Sequence, residues 1–189
     1  MPADRPPAAR PATARVFFAL WPPPAVTDQL AALAADHATR AGGRATRRET
    51  IHLTLAFLGD VALERLPALN QAAATVRADA FDLTLDQLGI WRHNRIFWAG
   101  CAAPAGLSAL VSALREALTA AGFKLADGER KFSPHVTLVR KVALPYAPLP
   151  AFAPLDWRCA KFVLVRSSVS EQGSSYRTVG EFPLGNGPL

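Results

Sequence analysis

Stretches in which apolar residues run continuously or alternate with polar ones are separated, along this chain, by stretches in which they recur every three to four residues. RVFFALW, residues 15–21, is a nearly unbroken apolar run of the kind a central strand shows, and Pro22, Pro23 and Pro24 end it. Proline is tolerated in a first helical turn, and Val26, Leu30, Leu33 and Ala34 then mark one helical face up to a glycine cap at Gly42 and Gly43. IHLTLAFLG, residues 51–59, alternates as a strand. A second helix is expected from an N-cap at Asp60 to about Arg77, with Leu63, Leu66, Leu69 and Ala73 inside.

The second half repeats this rhythm. FDLTLDQL, residues 81–88, alternates with one wet face and is expected to form a hairpin with residues 96–101 across the loop GIWRHNR. Leu107, Leu110, Leu114 and Leu118 give a third helix between Pro104 and Gly122. The loop ADGERKFSP leads into PHVTLVRK, residues 134–141, and Pro145, Pro148, Pro150 and Pro154 mark a surface connection. WRCA, residues 157–160, leads into the strand KFVLVR, a turn falls at Gln172-Gly173, and residues 176–182 form the last strand. The order reads as a degenerate internal duplication in an α+β fold with antiparallel sheets, neither half able to bury its sheet alone.

Composition narrows the class. Half of the 189 residues are hydrophobic, enough for one sizeable core, and no apolar run reaches the roughly 20 residues a membrane span needs. Residues 1–14 are Pro/Ala-rich, lack the apolar segment of a secretory signal and are expected to be a disordered tail. Two cysteines, Cys101 and Cys159, make neither a disulfide framework nor a metal site, which suits a reduced, cytoplasmic setting. The 21 Lys and Arg against 15 Asp and Glu suit a polyanionic partner, although a basic surface is open to the same count.

The chemistry is concentrated in a triplet that occurs twice, close to half the chain apart: His52-x-Thr54-Leu55 and His135-x-Thr137-Leu138. On a strand His52 and Thr54 point one way while Ile51, Leu53, Leu55 and Phe57 point the other, so one face is packed and the other reactive. Two imidazoles can divide acid–base work at phosphorus, one neutral and taking a proton, the other charged and giving one. A threonine hydroxyl beside each can hold a phosphate oxygen as its charge grows. Such a pair, acting on free enzyme near its ordinary pKa, is expected to give a bell-shaped kcat/KM centred at roughly pH 6 to 8. A zinc hydrolase is disfavoured by the lack of H-E-x-x-H, paired cysteines or carboxylates at ligand spacing, and no cofactor or metal is expected.

The paired H-x-T-L motifs, RVFFALWPP, IHLTLAFLG and FSPHVTLVRK together resemble the two-histidine (2H) phosphoesterases, specifically the bacterial RNA 2′,3′-cyclic phosphodiesterases once named 2′-5′ RNA ligases. The resemblance covers about residues 15–184. It implies a bilobal, pseudo-two-fold α+β fold with antiparallel sheets flanked by helices and a central cleft, as one domain over residues 15–189. It also implies metal-free hydrolysis of an RNA 2′,3′-cyclic phosphate to a 2′-phosphomonoester, with reverse 2′-5′ ligation allowed. His52 becomes the proton donor and His135 the acceptor, a division that the chemistry alone leaves open. Thr54, Thr137 and Arg140 become phosphate ligands, although strict alternation turns Arg140 away from the pocket. Phe17, Phe18 and Tyr176 either stack a base or pack in the core. The implied partner is an RNA or oligonucleotide with a cyclic phosphate end, tRNA fragments included, and a monomer acting on it. His37 is expected to be a solvated helix residue, and His93, in the loop with Trp91 and Arg92, a candidate for substrate contact. Thr50 and Ser133 read as hydrogen-bonding residues beside the motifs. The competing reading is a basic, non-catalytic RNA-binding module using Arg47, Arg48, Arg130 and Lys131.

Overall fold

In the computed structural model, which describes residues 12–126, 128, 131–143, 145–170 and 173–185, the apolar run near the N-terminus becomes β1 (Thr13–Leu20), an interior strand. Of the expected tail, residues 1–11 lie outside the described residues, whereas Thr13 and Ala14 already pair with Ala62 and Val61. Helix α1 (Pro24–Ala41) starts on its prolines and ends at Gly42, whose φ of 67° a side chain would resist. Its buried stripe is Val26, Leu30, Ala34, His37 and Ala41. A two-residue strand β2 (Arg44–Ala45) and a 3₁₀ turn (Arg48–Thr50) lead into β3 (Leu53–Ala62).

Helix α2 (Leu66–Ala74) is shorter than expected and Asp60 is not its cap: β3 runs on through Asp60, which pairs with Arg15, and a 3₁₀ turn (Leu63–Arg65) precedes the helix. The ladder to β1 claims those residues, and Pro67 sets the helix start. The alternating segment after it is also divided. β4 (Phe81–Leu85) leaves to pair with β8 (Leu155–Cys159) in a separate two-stranded sheet, so WRCA is strand rather than connection. The hairpin partner of β6 (Ile96–Gly100) is instead β5 (Gln87–Trp91). Helix α3 (Ala105–Ala120), β7 (His135–Arg140), β9 (Lys161–Ser170) and β10 (Gly173–Pro183) follow as expected. Of the turn between the last two, Gln172 lies outside the described residues, and Gly173 pairs with Ser170.

The main sheet has the order β10-β9-β1-β3-β7-β6-β5, with β2 added on β7, and every pairing in it is antiparallel. Its two lobes are not the two halves of the chain. α1 packs against β2 and β7, whereas α3 packs against β3, so each half covers strands of the other. One sheet face is buried with the helices in a core that includes Phe18, Leu20, Leu30, Leu53, Leu69, Phe97, Leu107 and Leu138. The other face forms the cleft, floored on the β1 side by Phe17, Ala19, Val163 and Val165.

His37 is buried, at 1% exposure, and stacked on Phe97 with 3.9 Å between ring centroids. It is not a solvated residue, and its place between Ala34 and Ala41 on the stripe is the reason. Burial lowers its pKa, aided by Arg40 and opposed by Asp36, and its Nε2 has no hydrogen-bond partner. The unfolded chain therefore takes up this proton first, and stability present above about pH 6.5 is lost as pH falls through that value. His37→Leu should flatten the loss of stability on acidification, read from urea unfolding at about pH 7 and about pH 5. An unchanged loss would assign the acid sensitivity elsewhere.

Candidate active site

β3 and β7 meet at one registered pair, Leu53 with Val136, both completely buried. Each follows directly after a histidine. Continuing that antiparallel register by one residue either way sets His52 across from Thr137 and Thr54 across from His135, all four on the cleft face. The two motifs are thus related by a local two-fold through the seam, and each imidazole neighbours the other motif's hydroxyl.

The leucine after each motif is an extra residue in its ladder. Phe18 pairs with Ala56 and Ala19 with Thr54, so Leu55 is bulged; Phe97 pairs with Val139 and Trp98 with Thr137, so Leu138 is bulged. Leu55 and Ala56 both join the core, as do Leu138 and Val139. The next residue on each strand is thereby returned to the cleft, Phe57 on β3 and Arg140 on β7. Alternation therefore misassigned Phe57, which belongs to the cleft, and the same device brings Arg140 round to the histidines.

Each imidazole is held in the same way. His52 Nδ1 lies 2.7 Å from the Thr50 carbonyl and His135 Nδ1 lies 2.8 Å from the Ser133 carbonyl. A carbonyl only accepts, so Nδ1–H donates in both rings and Nε2 is the nitrogen left for chemistry. Thr50 and Ser133 thus do serve as hydrogen-bonding residues, through their backbones. Around His52 stand Phe17, Trp21 and Tyr176, with centroids 4.8, 5.7 and 5.3 Å away. Trp91 meets His135 edge-on at 4.4 Å.

A hollow of about 420 Å³ is lined by both histidines, Thr54, Thr137, Arg140, Arg44, Arg47, Ser174 and Tyr176, among others. A second, of about 400 Å³, adjoins it through His52, Thr54, Arg140, Ser174 and Tyr176 and continues to Arg15, Phe57 and Ser167. Arg15 lies over the Phe57 ring at 4.9 Å. No carboxylate lines either hollow among the described residues.

Phe17 is 3% exposed, packs beneath His52 and lines the second hollow. Phe18 is wholly in the core, and Tyr176 is half-buried at the cleft. His93 is exposed and lines neither hollow, whereas Trp91, named from sequence only as part of the same loop, touches His135. Arg44 and Ser174 were missed as well. Arg48 pairs with Asp28, Lys131 is exposed, and Arg130 lies outside the described residues. Neither cysteine lines the site, and burial raises their pKa values to about 11 for Cys101 and about 12 for Cys159, so neither is a ready nucleophile.

Burial pushes the His52 pKa down to about 4 against the Thr50 hydrogen bond, and the positive charge of Arg140 and proximity of His135 lower it further. His135 is lowered by burial too, again with Arg140 adding and the Ser133 bond opposing. Both rings are neutral near pH 7 while the cleft is empty, so the anion that enters must bring the proton's stabilisation with it. Sulfate, which carries no titrating proton in this range, should bind with proton uptake and more tightly as pH falls from about 7 to 5, as read by calorimetry in two buffers of different ionisation enthalpy. Binding that is independent of pH would contradict this electrostatic account.

Both the sequence and the fold have known relatives. Residues 20–98 match the family model described as LigT like Phosphoesterase. An RNA 2′,3′-cyclic phosphodiesterase of Escherichia coli is 34% identical over 174 residues, 90% of this chain and 96% of the relative. One of Thermus thermophilus is 29% identical over 90% of each chain. The crystal structure of E. coli LigT complexed with 3′-AMP superposes with a TM-score of 0.81 at 32% identity, covering 92% of this chain and 99% of that one. With that identity over nearly the whole of a relative, and the same fold, this chain belongs to the LigT-like phosphoesterases of the two-histidine superfamily.

Proposed function

We propose that this protein hydrolyses the 2′,3′-cyclic phosphate at the end of an RNA strand to a 2′-phosphomonoester, with His52 and His135 as acid and base. The observation that carries this is the matched pair of imidazoles, each oriented by a carbonyl at Nδ1 and each beside the other motif's threonine. Relatives along most of the chain bear the name of that activity.

Water aligned opposite the 3′-oxygen gives its proton to His135 Nε2 as the new P–O bond forms. The P–O3′ bond breaks, and protonated His52 gives its Nε2 proton to the departing oxygen. Thr54, Thr137 and Arg140 take the non-bridging oxygens, a charge-assisted contact in the case of Arg140. The division into donor His52 and acceptor His135 follows the resemblance to the two-histidine phosphoesterases, and burial lowers the pKa of both rings. With a 5′-hydroxyl in place of water, the same groups would form a 2′-5′ linkage.

Among the described residues no three or more His, Cys, Asp or Glu side chains come together as a metal site, and the reaction is proposed to need none. Among them, too, no helix is long and apolar enough to cross a membrane. Free Cys101 and Cys159 suit a cytoplasmic enzyme, and a monomer acting on tRNA fragments or other cyclic-ended RNA completes the reading.

His52→Ala and His135→Ala should each lower kcat/KM on a nucleoside 2′,3′-cyclic phosphate by about a hundredfold or more, with excess chelator changing nothing in the wild type. Retained turnover in either variant, or loss in chelator restored by zinc, would overturn the mechanism. Because both histidines titrate below their ordinary value in the free enzyme, the kcat/KM optimum should fall on the acid side of about pH 6.5 rather than the roughly pH 6 to 8 read from sequence. The optimum of kcat should lie at higher pH, because bound substrate raises both values. A kcat/KM optimum well above neutrality would contradict the burial argument.

A further inference from the structure

The rim of the cleft carries more positive charge than one cyclic phosphate needs. Arg44, Arg47 and Arg140 line the same hollow, and a cyclic phosphodiester carries a single negative charge. Arg140 suffices for it beside the two threonines. Arg44 stands directly across the ladder from Arg140 in the β2–β7 pair, on the same side of the sheet. Three fixed contacts hold the segment there. Thr46 N–H donates to the Leu138 carbonyl at 2.7 Å, and Ala143 N–H donates to the Ala41 carbonyl at 3.1 Å. Gly43, at φ 103°, lies so close to β7 that a Cβ would sit 2.8 Å from the Arg140 carbonyl oxygen.

Arg47, on the same segment as Arg44, reaches toward β10, its guanidinium donating to the Ser174 carbonyl. Among the described residues no carboxylate pairs with Arg44, Arg47 or Arg140, although Arg40, Arg48 and Arg158 each find an aspartate. Like charges held together across a ladder are unfavourable unless an anion joins them. The hollow also adjoins a second, so the cleft is longer than the space around the imidazoles.

We infer that Arg44 and Arg47 form a second phosphate subsite, which takes the 5′-phosphate of the nucleotide whose cyclic end lies between the histidines. This rests on the reaction proposed above and goes beyond it. The site reads a nucleotide that carries two phosphates, and in a strand the second is the phosphodiester leading to the preceding residue. A bare nucleoside cyclic phosphate offsets only one of the three positive charges presented to it.

Three substrates separate the possibilities: a nucleoside 2′,3′-cyclic phosphate, the same compound with a 5′-phosphate, and a dinucleotide ending in the cyclic phosphate. In the wild type the second and third should each exceed the first in kcat/KM by about tenfold, the worth of one charge-assisted phosphate contact. Arg44→Gln should remove most of that ratio and reduce the dependence of log kcat/KM on log salt by about 0.7 for the dinucleotide. Arg47→Gln, whose side chain also ties β10, is the second variant, and melting temperatures establish that both fold. No gain from the 5′-phosphate, a gain seen with the dinucleotide alone, or a gain that survives both substitutions would overturn the subsite. Turnover of the bare cyclic nucleotide by the wild type and its loss in His135→Ala test the underlying reaction separately, so the two readings fail by different results.

Discussion

Two half-sheets come together where Leu53 pairs with Val136, and the reactive groups of the cleft are all placed by that seam. The two strands are antiparallel, so a local two-fold passes through the pair and each His-x-Thr triplet reads against the other in reverse. Two imidazoles facing one cleft, as the proposed acid and base require, are thereby obtained from two copies of one local structure. The interleaving of the chain makes the seam hard to open: α1 covers the strand that bears His135, and α3 the strand that bears His52. Separating the lobes would expose core on both sides.

The bulges at Leu55 and Leu138 do for the cleft what the seam does for the histidines. An extra residue at the same place in each motif sends two successive side chains into the core and returns the next to the substrate face. On β7 that residue is Arg140, a cation beside the two histidines. On β3 it is Phe57, and the positive charge on that side comes instead from Arg15 lying over its ring. The two copies differ at this returned residue and are alike where they hold imidazole. Burial then does electrostatic work: with both rings desolvated and Arg140 near them, both pKa values are lowered, and a bound anion would raise them.

That His52, Thr54, His135 and Thr137 share the cleft face was legible in the sequence, because it depends on neighbours two residues away. So do the carbonyls at Thr50 and Ser133. What depends on a partner strand was not visible. Arg140 and Phe57 were placed by alternation on the wrong face, since a bulge is a property of two strands and shows in neither alone. The segment at 81–88 alternates only as far as Asp86, and Gln87 breaks the pattern where the chain leaves one sheet for the other; which sheet each end joins is set by residues 155–159 far along the chain. Trp91 reaches His135 across a hairpin, and Arg44 faces Arg140 across a ladder only two residues long. His37 is the case where a local signal was present and passed over, for it falls on the spacing of Val26, Leu30, Ala34 and Ala41.

The central claim is that the two histidines divide the labour, His52 serving the oxygen that leaves and His135 the one that arrives. A nucleotide phosphodiester with a nitrophenyl leaving group departs without needing a proton, so it removes the demand on the acid while keeping the demand on the base. Measured beside the cyclic phosphate, it should restore His52→Ala to within about tenfold of wild type and leave His135→Ala at its full deficit. Restoration of His135→Ala with His52→Ala still inactive, or equal deficits in both, would contradict the assignment.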